Sequence, residues 1–337
     1  MSIYGYRKTG KRVDKEIRKK KRRSKVLQNQ LRSFTLYYTN IRHMKSKEES
    51  FKEIIEHLKP TIIVLTETWL NKGEDVKIEG YRIFRNDRLS GDGGGILVGV
   101  REVLGHVAIE SSRTNESYES LWIVIDNTKV KLKIGAIYMP QESETNKKEM
   151  KEIYKDIKKE IHEAKVNSQK LLIVGDMNCK VGDSIKGNST EITKGGKELI
   201  KLVEKEHLVI VNGTERCSGK WTREENGSKA ILDYVMINED EIEAVEKMIV
   251  DEGKVVAPMR IKDDDGNLRT IYSDHNVISI RINWMVLDEE RYKKVSPRRI
   301  MTEEGKQKYK EDIQRAEVSK IWDGKHLCNN DMSGRKK

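Results

Sequence analysis

The amino-acid sequence predicts a layered α/β domain in which two β-sheets form a sandwich and helices cover the outer faces. From residue 34 onward, short runs of β-branched and aliphatic residues alternate with amphipathic stretches of helical period. Many short strands with a few long helices are typical of helices packed on sheets. Short turns between neighbouring strands, such as Asp126 to Lys129, favour antiparallel pairs. Parallel βαβ winding is the alternative arrangement of the same elements.

Eight apolar runs are predicted to be strands, because each is short, rich in Val, Ile and Leu, and bounded by polar or turn residues. In chain order they are Thr61 to Thr66, Gly94 to Val100, Leu121 to Ile125, Val130 to Ile137, Leu171 to Val174, Leu208 to Val211, Ile231 to Ile237 and Val277 to Ile282.

Three segments have the apolar spacing of amphipathic helices. The first is Lys47 to Leu58, the second contains Met150 to Ile161, and the third is predicted from Gly196 to Lys205. The first two would each turn one apolar face toward the core. The apolar faces of the first two consist of Phe51, Ile54, Ile55 and Leu58, and of Met150, Tyr154, Ile157 and Ile161.

The chain of 337 residues divides into three predicted parts. Residues 1–32 are a basic arm with few apolar residues, which we expect to be disordered when free. Residues 33–285 form the globular domain. Residues 286–337 are a charged C-terminal connector, in which Thr302 to Ile321 is predicted to be one exposed helix.

The net charge of +11 lies almost entirely in the arm. Between Arg7 and Lys25 there are twelve Lys or Arg residues against two acidic residues, a net charge of +10. Such an arm favours a polyanionic partner, nucleic acid above all, or a nuclear-import signal. The alternative is a solvated tail without a partner. The candidate nucleic-acid-binding residues are Arg18, Lys19, Lys20, Lys21, Arg22 and Arg23.

Composition argues against several classes of protein. No apolar run approaches the roughly 18 residues of a membrane span, and we expect no secretory signal, since the N-terminus lacks an apolar segment. Three scattered cysteines argue against a disulfide framework and against a Cys-type zinc site. We therefore expect an intracellular protein, with the nucleus as its compartment if the arm acts in import.

Polar residues follow the ends of several predicted strands. Glu67 follows one strand, Asp176 and Asn178 follow another, and Asp274 with His275 precede the last. Carboxylates that converge on one rim repel each other unless a cation neutralises them. Oxygen ligands without Cys or clustered His favour Mg²⁺, Mn²⁺ or Ca²⁺ over zinc.

Each of these motifs also has a purely structural interpretation. Glu67 could be a carboxylate at a helix start. Asp176 and Asn178 could form an Asx-turn. Asp274 with His275 could be a surface pair, and Tyr138 with the following Met-Pro could be a strand end that meets a turn. Their joint order along the chain carries more weight than any one motif.

That order resembles the endonuclease/exonuclease/phosphatase superfamily, and within it the endonuclease domain of LINE-type (non-LTR) retrotransposons. The resemblance covers about residues 33–284. It runs through Asn40 in LYYTNIRHM, Glu67 in IVLTETW, the glycine-rich GDGGGILVGV, Tyr138 in AIYMP, Asp176 and Asn178 in LLIVGDMN, Asp233 in ILDYVMIN, and Asp274 with His275 in YSDHN. Two departures are the YYTN start and Cys179 directly after GDMN.

The resemblance implies a four-layer α/β sandwich, with two mixed β-sheets flanked by helices, and a divalent-metal phosphodiesterase. It implies that Glu67, with Asn40, holds a Mg²⁺ ion, for which Mn²⁺ could substitute, and that Asp274 is a second metal-side or structural carboxylate. It also implies that Asp176 orients or deprotonates the attacking water and that Asn178 holds a phosphate oxygen.

Three more roles follow from the resemblance. His275 would contact the phosphate or act in acid–base chemistry with Asp233 as its carboxylate partner, and Tyr138 would donate to the phosphate or the leaving group. The expected activity is a DNA endonuclease that leaves a 3′-hydroxyl nick. The partners would be DNA and the element's RNA, without a membrane.

The segment after residue 285 is too short for a reverse transcriptase, so we expect part of a larger element or a truncated copy of one. Two alternatives remain open. One is an abasic-site repair nuclease or another phosphodiesterase or phosphatase of the same fold. The other is a catalytically dead remnant that binds nucleic acid through its arm.

Overall fold

The computed structural model describes residues 34–88, 93–104, 106–115, 118–126, 131–185, 190–263 and 265–284, with the backbone alone at 145–147. The basic arm and the C-terminal connector lie outside the described residues, as does most of the predicted turn after Asp126. The described segments form two central sheets, two small hairpins and three α-helices.

Sheet 1 is a mixed sheet of seven strands. In spatial order they are β10 (Cys217–Ser218), β14 (Val245–Val250), β17 (Ile278–Ile282), β1 (Phe34–Asn40), β2 (Ile62–Thr66), β4 (Ile96–Arg101) and β3 (Tyr81–Asn86). β1 and β2 are parallel and are connected through helix α1 (Glu48–Leu58). β10 and β14 are also parallel, and the other pairs are antiparallel.

Sheet 2 is a mixed sheet of six strands. In spatial order they are β5 (Val107–Thr114), β6 (Glu119–Ile125), β7 (Leu132–Tyr138), β8 (Lys170–Asp176), β13 (Asp233–Asn238) and β9 (Leu208–Ile210). β7 and β8 are parallel and are connected through helix α2 (Glu144–Val166). The other pairs are antiparallel. Each sheet thus has one βαβ unit at its centre.

The hydrophobic residues form three cores that separate four layers. The central core lies between the sheets and includes Tyr38, Val64, Leu121 and Val174. A second core packs sheet 2 against α2 and helix α3 (Lys194–Lys205), and a third packs sheet 1 against α1. Alternate residues of the central strands point to opposite faces and both faces are covered, which explains why these strands are nearly continuous apolar runs.

Two hairpins stand apart from the main sheets. One pairs β11 (Arg223–Glu225) with β12 (Ser228–Ala230), and the other pairs β15 (Met259–Lys262) with β16 (Leu268–Tyr272). Each hairpin directly precedes a predicted site residue. Asp233 begins the strand after β12, and Asp274 lies two residues beyond β16. None of the helices in the described part of the chain has the length and apolar character needed to cross a bilayer.

The strand register aligns four polar residues in one row across sheet 2. Glu119 pairs with Tyr138, Tyr138 with Asp176, and Asp176 with Asp233. Paired residues on neighbouring strands point to the same face, and Tyr138 belongs to the central core. The row therefore faces sheet 1, where Asn40 ends β1. One rim of the central core is polar for this reason.

The predicted fold class is confirmed, and so are the eight strands and the three helices, within a few residues at their ends. The amphipathic face of α2 is buried at all four predicted positions, whereas Leu58 at the end of α1 is 38% exposed. In the two main sheets the prediction omitted β1, β3, β5, β10 and β14. YRIFRN, VAIESSRT and VEKMIV mix charged and apolar residues, FTLYYTN mixes polar with apolar ones, and β10 has only two residues.

Candidate active site

A pocket of about 260 Å³ lies where strand ends of both sheets meet. The parallel strands β1, β2, β7 and β8 end there, and the strands antiparallel to them begin there. The pocket is lined by Asn40, Arg42, Glu67, Trp69, Tyr138, Gln141, Asp176, Asn178, Arg223, Asp274 and His275. Seven of the eight predicted catalytic and metal residues line it, and the eighth, Asp233, contacts His275.

Glu67 is held at the mouth of the pocket by two neutral donors. It follows β2 with a positive φ of 50°, a conformation that is uncommon for residues other than glycine and that turns its side chain out of the strand. The Tyr138 hydroxyl donates to Oε1 at 2.7 Å, and the indole N–H of Trp69 donates to Oε2 at 3.1 Å. Neither donor carries a charge, so the negative charge of Glu67 is available to a cation.

Asn40 offers an oxygen that has no protein partner. Its Nδ2 donates to Asp176 Oδ2 at 3.0 Å, whereas its Oδ1 is buried and has no hydrogen-bond partner among the described residues. Buried acceptors without partners are rare and costly. An amide oxygen beside a carboxylate suits a hard divalent cation. Asn40 and Glu67 therefore fit the metal that the sequence predicts, and they would hold it.

Asp176 is fully buried at the end of β8. Its carboxylate accepts from Asn40 Nδ2, from the backbone N–H of Asn178 at 3.0 Å, and from Asn178 Nδ2 at 3.3 Å. Burial and the negative charge of Asp233 raise the pKa of Asp176 to about 7, although the charge of His275 opposes this. A carboxylate that titrates near neutral pH suits proton transfer.

Asn178 has two roles in the structure. Its contact with Asp176 Oδ1 is an Asx-turn contact, so that structural interpretation holds as well. Its backbone is left-handed, with φ of 43°, and its Nδ2 also donates to the carbonyl oxygen of Met139 at 2.8 Å. These contacts fix the amide at the pocket wall.

His275 and Asp233 form a buried hydrogen-bonded pair. Nδ1 lies 2.8 Å from Asp233 Oδ2, and Nε2 lies 3.7 Å from Asp176 Oδ2. Burial lowers the pKa of His275, but the charges of Asp233 and Asp176 outweigh it and raise that pKa to about 9. Tyr38 adds a hydrogen bond of 2.6 Å to Asp233 Oδ1. The imidazole is therefore oriented by Asp233 and is cationic at neutral pH.

Tyr138 donates to Glu67 rather than into open space. Burial and the charge of Glu67 raise the pKa of the Tyr138 phenol well above its usual value. Tyr138 is therefore a neutral donor at every physiological pH. Its hydroxyl lies at the pocket together with Glu67, to which its one hydrogen is donated.

Asp274 lies on the rim between two arginines. Arg42 Nη1 lies 3.1 Å from Oδ1, and Arg223 Nε lies 2.8 Å from Oδ2. Burial raises the pKa of Asp274, but His275 and the two arginines outweigh it, and the net shift is downward. Both carboxylate oxygens are hydrogen-bonded to arginines. Of the two predicted roles, metal-side or structural carboxylate, this arrangement suits the structural one.

Five residues that shape this site were not predicted from the sequence. They are Tyr38 behind Asp233, Trp69 beside Glu67, Arg42 and Arg223 beside Asp274, and Gln141 in the pocket wall. Alternation along LYYTN could have identified Tyr38, since it places this residue on the same face as Asn40. The arginines carry no local signal, because their partners are distant in the chain. The predicted nucleic-acid-binding residues from Arg18 to Arg23 lie outside the described residues.

Comparison with known proteins agrees with this architecture. Residues 132–279 match the family described as endonuclease-reverse transcriptase. The structure is similar to the endonuclease domain of TRAS1, a telomere-specific non-LTR retrotransposon, with 16% identity and a TM-score of 0.54 over 75% of this chain and 99% of that chain. No curated protein matches the chain in sequence.

Two further solved structures share the fold. The AP endonuclease LMAP from Leishmania major has 12% identity and a TM-score of 0.58 over 74% of this chain and 88% of that chain. The 3′ phosphatase NExo from Neisseria, bound to a product DNA hairpin, has 11% identity and a TM-score of 0.56 over 74% of this chain and 100% of that chain. The chain therefore has the fold of these nucleases and phosphatases, and its residues 132–279 match the endonuclease-reverse transcriptase family.

Proposed function

We propose that the protein is a divalent-metal-dependent DNA endonuclease that nicks one strand and leaves a 3′-hydroxyl. The observation that carries the proposal is the convergence of two different sets of groups in one pocket. Sheet 1 contributes Glu67 and the unpartnered oxygen of Asn40, and sheet 2 contributes Asp176. His275 completes the pocket from the loop before β17.

The two sets suit the two halves of phosphodiester hydrolysis. Mg²⁺ at Glu67 and Asn40, or Mn²⁺ in its place, would supply a Lewis acid for the scissile phosphate and the departing oxygen. Asp176 titrates near neutral pH, so it can orient and deprotonate the attacking water. Asn178 lies beside it and can donate to a phosphate oxygen.

His275 supplies a positive charge next to the reacting phosphate. Asp233 accepts from Nδ1 and leaves Nε2 on the side of Asp176 and the pocket. A cationic imidazole with one nitrogen engaged can stabilise the charge that develops on the phosphate in the transition state. Tyr138 also lines the pocket, and it could donate to the phosphate if its hydroxyl turned away from Glu67, to which it donates in this structure.

DNA as the substrate is supported by the charge distribution and by the comparisons. The arm with its net charge of +10 favours a polyanion. The similar structures are named as an endonuclease domain of a retrotransposon, an AP endonuclease and a phosphatase bound to DNA. We propose that the chain derives from a non-LTR retroelement, acts in the nucleus, and meets element RNA as a second partner.

The experiment is relaxation of supercoiled plasmid by the full chain in Mg²⁺, with EDTA as the metal-free control. Asp176→Asn is the test variant, and Glu152→Gln is its matched control, because Glu152 is an exposed carboxylate paired with Lys155 on α2. We expect nicking by wild type and Glu152→Gln, and a loss of at least 10³-fold in Asp176→Asn.

The ends of the product test the chemistry. A polymerase should extend the nicks directly, because attack that expels the 3′-oxygen leaves a free 3′-hydroxyl. Nicks that carry a 3′-phosphate would contradict the proposal. Duplexes with one abasic site or one 3′-phosphate identify the alternatives, since a repair nuclease or a phosphatase would act on these faster than on intact plasmid.

A further inference from the structure

The glycine-rich segment of the sequence surrounds a buried ion pair. Glu119 is fully buried at the start of β6, and its Oε1 accepts from Arg88 Nε at 2.6 Å. Its Oε2 accepts from the backbone N–H of Gly95 at 2.6 Å. Arg88 follows β3 of sheet 1, whereas Glu119 belongs to sheet 2, so the pair connects the two sheets beside the pocket.

Gly94 and Gly95 are required by this arrangement. Both have positive φ, 71° and 86°, which disfavours any residue with a Cβ. A Cβ on Gly94 would overlap the guanidinium of Arg88 and the carboxylate of Glu119, and a Cβ on Gly95 would lie 2.6 Å from Thr68 Oγ1. The glycines therefore allow the backbone to pass directly against the ion pair.

Two routes lead from the ion pair to Glu67. Through the backbone, the carbonyl of Gly95 accepts from Thr68 N–H at 3.3 Å, and that of Gly94 accepts from Trp69 N–H at 3.0 Å. These are the two residues directly after Glu67. Through side chains, the Arg88 guanidinium lies over the Tyr138 ring at 5.7 Å from its centroid, and Tyr138 donates to Glu67.

We propose that Arg88, Glu119 and the Gly94–Gly95 backbone form a positioning unit that holds Glu67 in its cation-binding orientation. Hereafter Arg88 and Glu119 are called the inter-sheet clamp. The clamp does not line the pocket, so it acts through Tyr138 and the Glu67 backbone. This inference rests on the proposed function, because it assigns the clamp to the same metal site.

The physical reason lies in the strained backbone of Glu67. Its positive φ is unfavourable for a residue with a side chain, and such a conformation persists only when its surroundings impose it. The hydrogen bonds from Thr68 and Trp69 impose it on the backbone, and Tyr138 and Trp69 orient the carboxylate. Loss of the clamp should let Glu67 relax and should weaken the cation site more than the chemistry that follows.

The test compares metal affinity with turnover in Glu119→Gln and Arg88→Lys. Glu119→Gln keeps the shape and an acceptor for Gly95 N–H but removes the charge. Arg88→Lys keeps the charge and removes the planar guanidinium over Tyr138. Asp87→Asn is the matched control, because the neighbouring Arg85–Asp87 pair has side chains 16% and 15% exposed and lies outside the pocket.

Mn²⁺ is the probe. Its binding to the full chain without DNA is measured by electron paramagnetic resonance, and nicking is titrated with Mg²⁺. For both clamp variants we expect the Mn²⁺ dissociation constant and the half-saturating Mg²⁺ concentration to rise about tenfold. Turnover at saturating metal should stay within about threefold of wild type, and Asp87→Asn should match wild type.

A purely structural clamp would lower the melting temperature and the active fraction while both metal constants stay at their wild-type values. Unchanged metal constants in either variant would overturn the inference. If Glu119→Gln fails to fold, the result for Arg88→Lys alone is used. If wild type nicks DNA and binds Mn²⁺, and the clamp variants have the same metal constants as wild type, this inference is overturned but the proposed function is not. Wild type that neither nicks nor binds Mn²⁺ would overturn the proposed function and this inference together.

Discussion

Asp176 and Asp233 are directly paired across the antiparallel strands β8 and β13, so two buried carboxylates face the same side of one sheet. His275 lies between them, with Nδ1 2.8 Å from Asp233 and Nε2 3.7 Å from Asp176. Two like charges that are buried side by side repel strongly. The repulsion between Asp176 and Asp233 therefore destabilises the fold at the position where the proposed chemistry needs a proton acceptor and an oriented imidazole.

Asp176→Asn should become more stable relative to wild type as pH rises. The pKa of Asp176 is about 7 in the folded chain and near 4 in the unfolded chain. The free energy of unfolding of wild type therefore falls as pH rises from about 4 to about 7, and it stays lowered above that, where the carboxyl is ionised in both states. Asn cannot ionise and has no such loss. We expect the difference to shift by on the order of 2 kcal/mol between pH 4.5 and pH 8.

Urea denaturation in EDTA at these two pH values measures that difference, with Glu152→Gln again as the control that should show no shift. A difference that stays constant with pH would mean that Asp176 titrates normally. The same variant should lack nicking activity, which separates a gain in stability from a loss of function.

Asp233→Asn should lower the pKa of His275. Without the charge of Asp233, burial would be opposed by the charges of Asp176 and Asp274 alone, so the neutral imidazole would become more favourable than in wild type. Tyr38→Phe removes only the 2.6 Å hydrogen bond behind Asp233, so its effect on the imidazole should be smaller. NMR titration of the His275 ring in metal-free protein measures both pKa values. Equal pKa values in wild type and Asp233→Asn would contradict the pairing.

The linkage of His275 to stability has a definite sign. Its folded pKa is raised above the unfolded value of about 6.5, so its contribution is present below pH 6.5 and is lost as pH rises through about 9. The amount by which the free energy of unfolding of wild type exceeds that of His275→Gln should therefore fall between about pH 6.5 and about pH 9. Denaturation of both proteins in EDTA at pH 6 and pH 9.5 checks this, and an advantage that grows with pH would exclude a cationic His275.

Glu67→Gln should abolish nicking at low Mg²⁺ without unfolding the protein, because the residue lies at a strand end beside the pocket. Tyr138→Phe removes one of its two donors and should cost on the order of tenfold in activity. The double variant should be little worse than Glu67→Gln alone, because groups that act on one transition state are not additive. Strict additivity of the two losses would separate Tyr138 from Glu67.

Deletion of residues 1–30 should weaken duplex binding while the chemistry remains. Each phosphate contact changes the slope of log affinity against log salt by about −0.9. If half of the twelve basic residues between Arg7 and Lys25 contact phosphate, the slope should become shallower by about five. Salt titrations of both forms on one duplex measure this. Equal slopes would favour an import role for the arm.

The cleavage map should survive the same deletion, because phosphate contacts carry no sequence information. Alanine replacements at Lys19, Lys20 and Lys21 in the full chain provide a matched variant of unchanged length. They should reduce the slope in part, whereas a changed map would mean that the arm reads bases or shape.

Most of the central strands and the three helices could be predicted because their apolar pattern is set locally, but the central strand β1 was not among them. The strand Ile62–Thr66 is buried throughout and so is uniformly apolar. The strand Val107–Thr114 is an edge strand of sheet 2 with exposed positions on both faces, and VAIESSRT shows neither period clearly. Sheet order and the pairing of β10 with β14 depend on contacts between distant segments, which no local pattern encodes.

The site was predictable where it coincided with strand ends and a family resemblance. Glu67, Asp176 and His275 end or precede strands, and they meet in one pocket. The inter-sheet clamp was not predictable, although its glycines were visible in GDGGG. Arg88 and Glu119 are 31 residues apart, and only the packing of sheet 1 on sheet 2 brings them together.

The row Glu119–Tyr138–Asp176–Asp233 limits how the chain can change in length. A single residue inserted or deleted within β6, β7, β8 or β13 would shift one member of the row by one position and turn its side chain to the outer face. Length variation is therefore confined to the connections between strands. Descendants of this sequence should differ by loop insertions near the pocket rim, such as the hairpins β11–β12 and β15–β16, while the strand lengths at the row stay fixed.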